Sequence, residues 1–528
     1  MASESDGSTR RAVQWAGLAL GPALALLAYW LLPATYANAA GEVVPFTPAG
    51  RATLAMMIWM GTWWLTEAID ITATALLPLA VFPLLGIAGI RQAAAPYADE
   101  TIFLFMGGFI LALSMQRWGL DKRIALLTLR VVGTHPINMV GGFMLATAMI
   151  SAFVSNTATA AMMMPIALSV INLVRSRLGK PTVDASNPGA TPLGHFGLCL
   201  MLGIAYAASI GGLATIIGSP PNVIAVGFLR DRIAPQHRLD MSFAQWLELG
   251  LPLTLIFLPL TWLLLTRVLY PIRMGRIEGG GDMIRSEFRA LGRAGRGEWI
   301  TFIVFIVTVM LWITRPLLTA GIGGSTDAAT GEASWVIPPI PGLTDAVIAM
   351  LAALVLFILP VNARKRQFTM DWPTASGLPW GILLLFGGGL SLAGAVQSNG
   401  VAEFLGSHAG GLSALPDFLI VLMVVLAIIF LTELTSNTAT TAALIPVLAG
   451  LAPGLGVSPY LLVIPATFAA SCAFMLPVAT PPNAIVFGTG FVTIPQMCKA
   501  GLWLNLVGSV LITIAAFIIL PHALGDRL

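Results

Sequence analysis

The chain has 528 residues, 57% of them hydrophobic and 10% charged, and its mean hydropathy is +0.88. A soluble protein of this size is not so apolar, and runs long enough to cross a bilayer recur along the whole length, so the sequence reads as a polytopic, all-α membrane protein. The net charge of +3 comes from basic residues gathered in short loops, with no RNA- or DNA-binding motif, which excludes a nucleic-acid partner.

The start, Met1 to Trp15, is polar and carries Arg10 and Arg11. The apolar run after it, about 14–33, has no cleavage site and reads as a retained first helix. Further spans are expected at roughly 52–69, 71–89, 101–119, 196–229, 244–270, 299–318, 343–360, 376–398, 460–490 and 497–521, about eleven in all. Two other stretches, about 137–174 and 415–450, would overshoot a bilayer as single helices, and each has a Ser-Asn-Thr run near its middle. A polar break there predicts a re-entrant hairpin, two half-helices meeting at a tip, which is tolerated only where protein or a water-filled cavity surrounds it. The alternative is a pair of ordinary spans with an exposed loop. Cys199, Cys472 and Cys498 lie in or beside apolar stretches and show no pairing pattern or metal spacing.

Loop charge sets the expected orientation. Arg273, Arg276, Arg285, Arg289, Arg293 and Arg296 crowd one loop, Arg364, Lys365 and Arg366 another, while 31–50 and 319–342 have no Lys or Arg. This places the N-terminus and the basic loops in the cytoplasm of a plasma-membrane protein, with the C-terminus outside. Arg230, Arg232 and Arg238 resist that assignment, since their loop would be external.

Ser155-Asn156-Thr157-Ala158-Thr159 recurs as Ser436-Asn437-Thr438-Ala439-Thr440, each copy followed by a matching proline, Pro165 or Pro446. Phe105-Met106-Gly107-Gly108 matches Phe386-Gly387-Gly388-Gly389 at the same spacing, and Ala208 through Asn222 matches Ala470 through Asn483 with a one-residue gap. The chain therefore divides into an N-terminal part (1–51), a first repeat (52–270), a basic cytoplasmic loop (271–298), a second repeat (299–521) and a short external tail (522–528). Each repeat holds five spans and a hairpin, so the two are inverted, a plan that generates alternating access around a midplane site.

Ser, Asn and Thr are preferred helix N-caps, and each run opens an Ala-rich half-helix. Such a tip offers backbone N–H groups and a positive dipole end to an anion, and its carbonyls can hold a small hard cation such as sodium. The paired prolines Pro220-Pro221 and Pro481-Pro482 force their spans to unwind, exposing the carbonyls of Gly218 and Ala479 and the hydroxyls of Ser219 and Thr480.

With these motifs the chain resembles the divalent anion/sodium symporter family, the dicarboxylate and citrate transporters. Ala470 to Val486, with Ser471, Phe474, Pro477, Ala479, Asn483 and Val486 at the family's spacings, carries the likeness, which covers about 50–520. The resemblance implies two co-transported sodium ions, one held by Ser151, Ser155, Asn156 and Gly218, the other by Thr432, Ser436, Asn437 and Ala479. It implies substrate contacts from Asn156, Thr157, Ser219, Asn437, Thr438, Thr480 and Pro481. It further implies a lipid-embedded homodimer in which a transport domain moves elevator-fashion against a scaffold, carrying a C4 dicarboxylate. The family often has Pro where Asp70 stands, which bears only on the third span's entry.

Glu433, beside Thr432, either tunes the second cation site or pairs structurally. Trp59, Trp63 and Trp64 read as lipid- or scaffold-facing aromatics. An enzyme would need a nucleophile with a base, or a metal cluster, at membrane depth, and the sequence presents neither. A channel can also use oxygen-lined re-entrant loops, but inverted duplication with broken helices favours a transporter. Within transporters the rival is a sodium-independent dicarboxylate exchanger; neither tip carries the cationic side chain that could replace sodium.

Overall fold

The structure, a computed structural model, describes residues 2–38, 41–177, 192–277, 280–321, 325–326, 333–334, 336–408 and 414–525. Helix α1 (Ala2–Leu31) packs along α2 (Pro48–Thr66). The Thr47 hydroxyl accepts the Gly50 N–H at 3.0 Å to start α2, and Glu67 ends it in a left-handed conformation at φ 47. The span expected at 71–89 is instead two short helices, α3 (Ile71–Thr74) and α4 (Leu77–Leu84). The Asp70 carboxylate accepts the Thr72 N–H at 2.8 Å and starts a new helix, while Pro78 and Pro83 limit the next one.

The first half continues with α5 (Ile90–Ala94), α6 (Glu100–Trp118), α7 (Leu120–Val132), α8 (Pro136–Ser151), α9 (Asn156–Arg177), α10 (Pro192–Gly211), α11 (Pro220–Asp231) and α12 (Phe243–Leu263). The second half follows with α13 (Gly280–Ala290), α14 (Arg296–Ala320), α15 (Asp345–Ile358), α16 (Trp372–Ala375), α17 (Trp380–Ser398) and α18 (Val401–His408). It closes with α19 (Asp417–Thr432), α20 (Asn437–Leu455), α21 (Pro459–Ala470), α22 (Pro481–Phe487) and α23 (Ile494–Leu524). Helices α7 and α13 are amphipathic and fall where the sequence led us to expect loops. Helix α23 takes in residues 522–524, which were expected as tail, and 526–528 lie outside the described residues. Much of the expected 319–342 loop also lies outside them.

Among the described residues nine helices are long and apolar enough to cross a membrane, and five apolar helical stretches are shorter. Where the hairpins were expected, two helices of unequal length meet at a short turn in each half. Their first arms, α8 and α19, have 16 residues each, about 24 Å at 1.5 Å per residue. Their second arms, α9 and α20, reach full-span length with 22 and 19 residues, Pro165 and Pro446 notwithstanding. The expected half-helix is therefore found only on the entering side.

The halves contact one another reciprocally. A Cβ on Gly107 of α6 would sit 2.7 Å from the Ala349 backbone of α15, and one on Gly388 of α17 would sit 2.4 Å from the Ala75 carbonyl between α3 and α4. Phe105 and Phe386, at matching places in the two repeated runs, meet with ring centroids 5.3 Å apart. The glycines let the backbones approach, as small residues do between membrane helices.

Of the three arginines that resisted the charge pattern, Arg230 is paired. It faces Asp99 at 2.7 Å, Asp231 at 2.8 Å and Glu100 at 3.3 Å, so it is neutralised within the protein and is no free loop charge. The tryptophans also divide: Trp64 is fully buried, donating to the Ile71 carbonyl at 3.1 Å, whereas Trp59 and Trp63 are half-buried.

Candidate functional site

Each hairpin tip is a short turn between two helices. In the first, residues 152–155 join α8 to α9, and the Ser155 hydroxyl accepts the Ala158 N–H at 3.3 Å. In the second, the Ser436 hydroxyl accepts the Ala439 N–H at 3.5 Å. Beneath each tip lies the same trio of oxygens. The fully buried Ser151 Oγ is 2.6 Å from Asn156 Oδ1 and 2.7 Å from the Ala208 carbonyl. The fully buried Thr432 Oγ1 is 2.8 Å from Asn437 Oδ1 and 3.1 Å from the Ala470 carbonyl. One hydroxyl proton serves two acceptors in each trio, which leaves oxygen lone pairs over.

The unwound segments face these trios. Ser219 and Thr480, each immediately before a Pro-Pro pair, are extended at φ −144 and −140. The asparagine after each pair staples its segment: Asn222 Nδ2 donates to the carbonyls of Gly212 (2.9 Å) and Thr215 (2.8 Å), and Asn483 Nδ2 to those of Ala473 (3.1 Å) and Leu476 (3.0 Å). Both acceptors sit ten and seven residues back in each repeat, so the staple is duplicated with the motif. The Oδ1 atoms of both asparagines are buried with no hydrogen-bond partner among the described residues. A buried acceptor left unmade is costly, and here it recurs at equivalent places in both halves.

Gly212 shows how tightly the first site converges. A Cβ there would lie 2.9 Å from Asn156 Oδ1 and 2.9 Å from the Gly218 carbonyl oxygen. The structure thus brings Ser151, Asn156 and Gly218 together, while Ser155 and Thr157 are exposed at the turn. In the second site Thr432 and Asn437 are joined directly; Ser436, Asn437 and Thr438 are half-buried, Ala479 and Thr480 are buried, and Pro481 is exposed. Ser219 and Ser471 meet across the halves, Oγ to Oγ 3.1 Å, tying the two unwound segments. Ser471, Asn222 and Asn483 were not among the residues singled out as ligands, although the repeated Pro-Pro-Asn was the signal for the last two.

Glu433 is the other residue whose role the sequence left open. Its Oε1 accepts from the N–H groups of Phe474 (2.7 Å) and Met475 (2.9 Å) and from Asn505 Nδ2 (2.7 Å). Its Oε2 accepts from Met475 (3.0 Å) and Leu476 (3.1 Å). A carboxylate gripping three consecutive backbone N–H groups holds the second unwound segment open in a fixed shape. No pattern in the sequence announces Asn505, which arrives from α23.

The donor set is chemically uniform: hydroxyls, amide oxygens and carbonyls, with no Lys or Arg in 151–159, 208–222, 432–440 or 470–483. Such oxygens suit a small hard cation, and the N-termini of α9 and α20 are positive dipole ends of the kind that suits an anion, whereas α11 opens on Pro220-Pro221, which have no N–H to offer.

The family model described as the sodium:sulfate symporter transmembrane region matches residues 22–520. Among curated proteins the chain is similar to sodium-dependent dicarboxylate transporters of Staphylococcus aureus, strains USA300 and MRSA252. Each is 38% identical over 513 residues, covering 97% of this chain and 92% of the relative. Among solved structures it is similar to the Alcanivorax borkumensis YdaH transporter, with TM-score 0.54, 15% identity, and 96% of this chain and 97% of that one covered. It is also similar to Neisseria gonorrhoeae MtrF, with TM-score 0.55, 11% identity, and coverage of 96% and 95%.

Proposed function

The chain belongs to the sodium:sulfate symporter family of membrane transporters, and from that premise we propose that it carries a divalent anion, a C4 dicarboxylate such as succinate, malate or fumarate, together with sodium. It is a multi-pass transporter and not an enzyme. The observation that carries the reading is the duplicated oxygen trio, Ser151–Asn156–Ala208 and Thr432–Asn437–Ala470, set beneath two helix N-termini with no cationic side chain on the segments that build it.

In this reading Ser151, Ser155, Asn156 and Gly218 hold one sodium ion, and Thr432, Ser436, Asn437 and Ala479 hold the other. The substrate lies between the tips against Asn156, Thr157, Ser219, Asn437, Thr438, Thr480 and Pro481. Each dipole end contributes only ~0.3–2 kcal/mol, so the sodium charges supply much of the attraction for the dianion. The repeats 52–270 and 299–521 act as inverted units, and the site alternates between the two membrane faces by an elevator movement within a homodimer. The N-terminus lies in the cytoplasm.

The test is uptake of labelled succinate by proteoliposomes with and without an inward sodium gradient. Gradient-dependent uptake, faster for the dianion than for the monoanion, is expected. Tight binding of succinate to purified protein without sodium would overturn symport and leave the sodium-independent exchanger.

A further inference from the structure

A second polar recess lies away from the repeated motifs, beside the basic 273–296 segment. It encloses about 400 Å³ between the end of α7, the link into α8, and α13. Arg130, Thr134, His135, Asn138, Arg276 and Arg285 line it, and among the described residues its lining includes no Asp or Glu.

Among the described residues the neighbouring acids do not cancel this charge; Glu278 lies outside them. Asp282 stands 3.4 Å from Arg285, but both side chains are exposed and the pair is correspondingly weak. Glu287 faces Lys122 at 3.7 Å, and Glu298 is taken by Arg123. Arg130 lies 5.9 Å over the Phe288 ring and keeps its positive charge facing the recess. Helix α8 starts at Pro136 with no side-chain cap, so its first N–H groups add to the positive potential.

The walls are fixed by backbone. Gly133 turns the chain at φ +87, a conformation that side chains rarely adopt, and the Ile277 N–H donates to the Thr134 carbonyl at 3.1 Å. Directly beside Arg130, α7 exposes Val131 (86%) and Leu127 (44%), one helical turn apart on the same face. A basic recess next to an exposed apolar strip is the surface that a charged headgroup with an attached acyl chain covers.

We propose that this recess binds the headgroup of an anionic phospholipid, its phosphate held by Arg130, Arg276 and Arg285 and its acyl chain lying along Leu127 and Val131. Guanidinium forks match phosphate oxygens in pairs, and a phosphodiester brings the negative charge the lining lacks. Bound there, the lipid joins α7, the start of the first hairpin and α13 at one point.

The test uses delipidated full-length protein, titrated with phosphatidylglycerol or with phosphatidylcholine of the same chains. Retention is read by native mass spectrometry and thermal stability, with inorganic phosphate and glycerol phosphate as soluble probes. Phosphatidylglycerol is expected to be retained and phosphatidylcholine not, with Arg130→Gln, Arg276→Gln and Arg285→Gln each lowering retention about fivefold. Val131→Ser is expected to lower lipid retention without changing the response to the soluble probes. Equal retention of the two lipids, or phosphatidylglycerol retention unchanged in all three Gln variants, overturns the site. Stabilisation by glycerol phosphate equal to that by the lipid overturns the lipid assignment in favour of a free anion. Should a Gln variant not fold, the matching Lys variant, which keeps charge but loses the planar fork, is read in its place; unchanged retention in all positions then overturns the site as well.

Discussion

The two unwound segments share one plan and are secured by different chemistry. In the first, the Leu213 and Ala214 N–H groups bond to the Ile210 and Gly211 carbonyls, and Thr215 donates its hydroxyl to the Ala152 carbonyl. In the second, the place of Ala152 is taken by Glu433, whose carboxylate collects the N–H groups of Phe474, Met475 and Leu476. The first segment is buried from Gly211 to Ser219; the second is half-open from Met475 to Pro477, with Val478 68% exposed. A tight turn suffices where packing excludes water, whereas the more open segment relies on a charged clamp. Duplication therefore preserved the oxygen trios while the scaffolding beside them diverged.

The sharpest test of the shared part is Asn156→Ala against Asn437→Ala. Each amide belongs to its oxygen trio and, in the proposed site, touches both sodium and substrate. With about 1.5–3 kcal/mol for each hydrogen bond to a charged group, either change is expected to cut sodium-driven uptake roughly 100-fold. Proteoliposome uptake, with monodispersity on gel filtration as the folding control, measures it. Near-normal uptake by one of the two would show that the halves do not contribute equal sites.

The divergent part is tested next. Glu433→Gln keeps the shape but removes the charge and one of two acceptor oxygens, so part of the three N–H groups is left unsatisfied. Uptake is expected to fall about tenfold and thermal stability to drop, since an unsatisfied buried group costs about 1–3 kcal/mol. Thr215→Val, which removes the hydroxyl that secures the first segment to Ala152, loses a single neutral bond and is expected to lower uptake no more than about fivefold. Equal losses would erase the distinction between turn and clamp.

These particulars show what a single sequence makes legible. The tips, the broken spans and the reciprocal glycines were readable because duplication printed each of them twice, and a polar run inside hydrocarbon-grade sequence has few uses. The trio beneath each tip was half readable: Ser151 and Thr432 are visible, but the carbonyls of Ala208 and Ala470 belong to alanines with no signature. Helices α7 and α13 were missed because their amphipathic pattern falls below the apolar threshold by which spans are found. The break at 70–77 was missed because an Asp cap and two prolines are weak against a continuous apolar run. Asn505 could not be found at all, since it is one of several polar residues scattered along α23 and its partner Glu433 lies 72 residues away.

A smaller effect separates sodium from substrate. Thr432 lies behind Asn437, one turn before the tip and fully buried. Thr432→Ala is expected to raise the sodium concentration for half-maximal uptake about fivefold, the value of one net hydrogen bond near 1 kcal/mol, while succinate saturation in high sodium changes less. Ser151→Ala is expected to do the same from the other half, and an unchanged sodium response in either would remove that hydroxyl from the ligand set.

The smallest effect concerns the hydroxyl link between the two unwound segments, Ser219 to Ser471 at 3.1 Å. Either oxygen can donate, and the bond is buried, so a partner left alone must find water or substrate instead. Ser471→Ala removes the link but none of the proposed ligands, and it leaves Ser219 free to turn toward the substrate. Uptake is therefore expected to change only about two- to threefold, within the range of one neutral hydrogen bond, whereas Ser219→Ala should raise the succinate KM further because a contact is lost. If Ser471→Ala instead matched Asn437→Ala in severity, the join between the two segments, and not the trio beneath each tip, would be the element on which the site depends.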